Sequence, residues 1–208
     1  MRRWRGATVV ACVAAGGLAG CSGDGGAGGA APEGPGFMEL LREGDAIQTE
    51  ALSAGVADPA ALPTSGRATY EGVIALGPST QAGLPDALTL AGEMELQVRF
   101  DRDDLTGRAS SFVTAADERV RGEVLFTGGR IDRAAEIDQG GIYTFETINA
   151  SGSLTAPDGS QADVTLGYLN GNFSGEGAGY AGGRASVFLE DRATGEAFQL
   201  DGIFDTRR

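Results

Sequence analysis

No histidine occurs anywhere in this 208-residue chain. That absence removes the base of the usual serine triad and the imidazole ligands of zinc and iron sites. Cysteine is nearly as scarce, with Cys12 and Cys21 the only two. Thiol redox chemistry and cysteine-built metal centres therefore have little to start from. There is a single tryptophan, Trp4. The apolar stretch from Ala7 to Ala19 falls short of the ~20 residues a bilayer-spanning helix needs. Positive charge is outnumbered, 16 basic residues standing against 29 acidic ones for a net −13. Such a field disfavours nucleic acid and anionic lipid headgroups as general partners, and a solvated acidic surface accounts for it.

The N-terminal residues carry a recognisable pattern. Arg2, Arg3 and Arg5 make a basic tip, the apolar stretch follows, and Leu18-Ala19-Gly20-Cys21 closes it. Residues 1–20 resemble a bacterial lipoprotein signal peptide, with Cys21 as the lipidation site. The resemblance implies diacylglycerol on the Cys21 thiol and a palmitate-type acyl chain on the new amino terminus. More than one chain anchors a protein stably, whereas a single chain does so marginally. Cleavage would leave 188 residues, one domain and a tail. It would also remove Trp4, Cys12 and three arginines, taking the net charge from −13 to −16. With Cys21 alone, no intramolecular disulfide can form, although an export route would permit one. Ser22 is not the aspartate that commonly retains lipoproteins in the inner membrane, so a lipid-anchored outer-membrane location is expected, with either face open. Residues 21–36 are a Gly-rich flexible tether.

Residues 37–64 read as a short helical or irregular extension. Phe37, Leu40, Leu41 and Ile47 share one helical face, and Gly44 weakens its middle. This piece is expected to cap one end of the main domain or to extend the tether. Asp58-Pro59 and Leu62-Pro63 then break regular structure. From residue 65 to 208 the period is two. Ala68, Tyr70, Gly72, Ile74 and Leu76 form one face of a first strand. Met94, Leu96, Val98 and Phe100 alternate with polar residues over 90–100. Further strands run through Phe112, from Gly122 past a Gly128-Gly129 bulge to Ile131, over 141–155, through Val164 to Tyr168, over 184–190 and over 197–204. The prediction is an all-β domain, a single antiparallel eight-stranded β-barrel; periodicity alone also admits a sandwich.

Four stretches in this region carry a family likeness. They are Gly66 to Gly72 with its Tyr70-x-Gly72; Leu96 to Phe100 followed by Leu105-Thr106-Gly107; Gly171-Asn172-Phe173-Ser174-Gly175-Glu176-Gly177-Ala178, continuing to Gly183; and the ending Gly202-Ile203-Phe204. Together they resemble the C-terminal β-barrel of the transferrin-binding protein B type, found in Gram-negative surface lipoproteins. The signature often places a glutamate where this chain has Tyr180. The resemblance implies a barrel fold and, from members with assigned roles, capture of host proteins. Those members often pair each barrel with a handle domain, for which this chain has almost no room. Read physically, Gly171, Gly175 and Gly183 allow close backbone approach or a barrel corner, while Phe173 fills the interior and Phe204 closes it.

Chemistry is sparse. Asp101, Asp103 and Asp104 share one turn but lack the spacing of a calcium loop and read as a solvated hairpin. Asp132, Glu136 and Asp138 read as the wet side of a strand and its turn. No two of the acids are singled out as a glycosidase pair. Tyr70, Tyr143, Tyr168 and Tyr180 have no histidine to complete an iron site. The expectation is a protein that is not an enzyme and uses neither cofactor nor metal. Its partners are expected to be the membrane, through lipid on Cys21, and an unidentified protein bound through barrel loops. Residues 77–88, including Leu84 and Pro85, and 114–121 are the candidate loops. A structural envelope lipoprotein and a small-ligand carrier using the barrel interior are the alternatives.

Overall fold

The computed structural model describes residues 34–80, 85, 87–135 and 143–208. Cys21, Leu84, Glu136 and Asp138 lie outside the described residues, as do the signal and residues 21–33 of the tether. No described helix is long and apolar enough to cross a membrane.

Among the described residues, one helix, α1 (Phe37–Ala54), precedes a one-turn 3-10 segment (Pro59–Ala61) and nine strands. These are β1 (Arg67–Pro78), β2 (Leu90–Arg99), β3 (Asp104–Thr114), β4 (Arg121–Ile131), β5 (Phe145–Glu146), β6 (Asn149–Thr155), β7 (Gln161–Ser174), β8 (Tyr180–Asp191) and β9 (Ala197–Arg207). Every pairing is antiparallel. Strand β1 pairs with both β2 and β9, β3 with β4, β4 with β6, and β6 with β7, so eight strands close a meander into a barrel without a free edge. The expected barrel is the observed one. The extra strand β5 wedges between β4 and β7 near the end where β1 begins, called here the lower end.

Alternation decides what faces inward. Tyr70, Ile74, Leu76, Met94, Leu96 and Val98 all enter the barrel's packed interior, as period two requires. The Gly128-Gly129 pair sits where the β3–β4 register shifts between Leu105 and Gly107, and Gly128 has φ 68°. That is the expected bulge. Residues 141–155 do not make one strand. The described part splits into β5 and β6 because Thr147 turns inward, its Oγ1 accepting from Leu169 N at 2.9 Å, and Ile148 swings out to 58% exposure. Ile142 lies outside the described residues.

Helix α1 is longer than the expected short piece and covers a wall, not an end. Phe37 and Leu40 pack on Val73, Ala91 and Val113, which point outward from β1, β2 and β3. Strand β1 is therefore buried on both faces over Val73–Leu76. The helix has no cap of its own at Gly36; Asp117, from the β3–β4 turn, accepts from Phe37 N at 2.8 Å. The lower end is closed by the segment after α1. Leu62 joins the interior, and Arg133 donates to the carbonyls of Leu62, Pro63 and Phe100 while pairing with Asp103 at 2.7 Å.

Candidate functional site

Most of the residues singled out by motif form the barrel wall and its filling. Phe173 is fully buried, with ring centroids 4.9 Å from Phe145 and 5.9 Å from both Tyr70 and Phe100; Phe145 in turn lies 6.1 Å from Phe204. Tyr70 Oη donates to Ala178 O at 2.6 Å across the lower end. Burial pushes the Tyr70 phenol up to about 12, with Arg208 offsetting part of the effect. Ala178 holds a positive φ of 60°, and Gly175, φ 77°, starts the same turn. Gly72, Gly171, Gly183 and Gly202 sit where neighbouring strands crowd them. A Cβ at Gly202 would fall 1.9 Å from Ala75 O, and one at Gly183 would fall 2.1 Å from Asn170 O.

The described residues of the candidate loops make contacts within the protein itself. In 114–121, Thr114 Oγ1 accepts from Ala116 N and Glu118 N, Asp117 caps α1, and the Arg119 guanidinium donates to Gly34 O and Pro35 O. This connection thus clamps the start of α1. In 77–88, Leu88 packs against the group under the helix, and the carbonyl of Ala87 sits close over Gly77. The aspartates of the β2–β3 turn are held by arginines, Asp104 by Arg99 at 2.5 Å and Asp103 by Arg133. Asp132 accepts from Ala134 N in its own turn. Among the described residues, no three acidic or cysteine side chains group as metal ligands would.

Two surface features remain. The first is on the outer face of β7 and β8. Leu166 is paired with Phe188 in register, and the Tyr168 and Phe188 rings lie 6.3 Å apart. Leu166 is 44% exposed.

The second is a small cleft of about 90 Å³ between α1 and the barrel wall. Leu41, Gly44 and Asp45 border it from the helix, and Val73, Ala75, Leu88, Ile203 and Asp205 from the barrel side. Two outward aspartates of β9 show how unusual Asp205 is. Asp201 is 5% exposed and receives Ser79 Oγ, Ser186 Oγ and Gln199 Nε2. Burial alone would raise its carboxyl, but those donors outweigh burial and hold it below the usual range. Asp205, at 8% exposure, receives no hydrogen bond from the described residues. Burial, with Asp45 adding repulsion, pushes its carboxyl from 3.8 up to about 6. The sequence reading passed over Asp205 because strand alternation puts it on an ordinary wet face. The signal available was Val73 and Ala75, apolar residues on the outward face of β1, which call for an external cover.

No protein-family model matches the chain, and no curated protein matches it.

Proposed function

We propose that the protein is a lipid-anchored lipoprotein of the outer membrane whose barrel is a non-enzymatic module for binding another protein. The observation that carries this reading is the Leu166–Tyr168–Phe188 face, an exposed leucine beside two half-buried rings that no described helix covers. On β1 the protein covers its outward apolar residues with α1, whereas on β7 and β8 an aromatic pair stays half-buried and a leucine exposed among the described residues. Large aromatics in such a patch are typical anchors of a protein interface. The packed aromatic interior weighs against a carrier that stores a ligand inside the barrel. The lack of histidine and the arginine-held aspartates weigh against hydrolytic chemistry. Support for the anchor comes from Cys21 and the pattern before it. The likeness of residues 66–208 to transferrin-binding protein B-type barrels supports a surface binding role, exercised here without a handle domain.

Proteinase K treatment of intact producing cells, with a periplasmic marker and a detergent-lysed control, tests the location. Photo-crosslinking from position 188, with position 153 on the β4–β6 side as control, then tests the face. A single adduct from 188 and none from 153 is the expected result. Equal or absent adducts at both positions would overturn the assignment of the face.

A further inference from the structure

We infer that the cleft between α1 and the barrel is a binding site for a primary alkylammonium group. Its aliphatic stem would lie against Leu41, Val73, Leu88 and Ile203, and its charge against Asp205 and Asp45. The cleft has room for about three water molecules, which is the space of the last few atoms of an aliphatic amine. Its walls are apolar, so a bare ion with a full hydration shell gains nothing there. Calcium or magnesium held by two carboxylates would keep several waters, and the apolar walls offer those waters no partners. A cation with an apolar stem suits both the walls and the charge.

The carboxylate is available. Asp205 is more than nine-tenths buried, borders the cleft and has no hydrogen bond from the described residues, whereas Asp201 on the same strand is held by three donors. A buried charged group without partners is costly, and natural structures usually satisfy it. The chain cannot supply the missing group itself in this form, because none of its 16 basic residues is a lysine. Its arginines near the site are engaged or diverted along the wall. Arg207 reaches Glu50 at 3.6 Å, and Arg184 stands opposite Ile203, two pairs further along β8. The residues directly beside Asp205 in register are Val73 on β1 and Gly182 on β8, which carry no charge. Titratable groups on the same outward rows are Glu71, Glu93, Glu95, Tyr180, Arg184 and Arg207, and α1 contributes Asp45, with Arg42 three residues before it. The site lies on the helix-covered wall and stands whether or not the Leu166–Phe188 face captures a partner.

The test uses the full chain in detergent with three probes: n-butylammonium chloride, 1-butanol, and N-acetyl-lysine methylamide. Calorimetry reads affinity, and carboxyl carbon NMR reads the Asp205 titration. Butylammonium is expected to bind saturably at pH 7.5, more weakly below pH 6, and to lower the Asp205 midpoint from about 6. Asp205→Asn should weaken binding at least tenfold, and Gly44→Leu should abolish it by filling the cleft with both carboxylates intact. Thermal melting confirms that each variant is folded, and the second variant serves if the first is not. Equal binding of the lysine derivative would make a protein side chain the ligand, and binding of butylammonium alone would make it a free amine. Both outcomes support the site. Absence of saturable binding, equal binding of butanol, or unchanged affinity in both variants would overturn it.

Discussion

Asp205 shows how one buried carboxylate couples stability to pH. Folding raises its carboxyl from 3.8 to about 6, so between those values the folded chain holds the proton more firmly than the unfolded one. Stability from this residue is therefore greatest below 3.8, falls as the pH rises, and reaches its full penalty above 6. A carboxyl moved this far and this deeply buried costs up to about 3 kcal/mol in its charged form. Asp205→Asn keeps the shape and removes the charge. It should raise the unfolding free energy by about 1–2 kcal/mol at pH 7.5, the unpaired amide offsetting part of the gain. That gain should shrink as the pH falls through 6, as urea titrations at several pH values would show. Tyr70 is the opposite case, a buried polar group with its partner in place. Tyr70→Phe leaves Ala178 O without its donor and should cost about 1–2 kcal/mol by the same titration. Neither role could be read from the chain alone. Asp201 and Asp205 both face outward from β9, and what separates them is the set of donors that Ser79, Ser186 and Gln199 bring to the first and the nearby charge of Asp45 beside the second.

Strands were far more legible than the helix, because period two is a property of each strand and helix placement is a property of the assembly. Met94, Leu96 and Val98 announce an inward face by themselves, and the Gly128-Gly129 bulge is written in its residues. The break between β5 and β6 is not, since it depends on Thr147 meeting Leu169 of β7. The helix was visible as an apolar face from Phe37 to Ile47, but its seat on the wall depends on the outward Val73, Ala91 and Val113 of three strands. Gly44 also changes meaning in place. An added Cβ there would stand 3.7 Å from Val73 Cβ, an ordinary contact. Gly44→Ala should therefore gain most of the helix-propensity difference, about 0.5–1 kcal/mol, in thermal or urea unfolding. Gly202 gives the contrasting outcome. With Ala75 O only 1.9 Å from its would-be Cβ, Gly202→Ala must push β9 from β1 at the barrel's closure. The expected loss is roughly 3 kcal/mol or more, or failure to accumulate folded protein.

At the scale of the whole molecule, the barrel and α1 are one folding unit whose outer surface has two kinds of apolar face. A closed barrel has no edge to protect, so its remaining exposure lies on the outside of its wall. Over β1, β2 and β3 the chain spends eighteen residues of helix on that problem, and the barrel answers with Asp117 and Arg119 holding the helix start. Over β7 and β8 no described helix lies, although Leu166 and Phe188 are as apolar as the residues beneath α1. If α1 exists to cover the wall, deleting residues 37–54 should leave the strands paired but expose Val73, Ala75, Ala91 and Val113. The deletion variant should keep a β-type far-UV spectrum, bind a hydrophobic dye and melt at least about 10 °C lower, since burying those side chains contributes several kcal/mol. It should also bring the Asp205 midpoint back towards 3.8, because both causes of its elevation, burial under the helix and the charge of Asp45, leave together. An unchanged midpoint would mean that the strands, and not α1, desolvate that carboxylate, and would remove the helix from the architecture of the cleft.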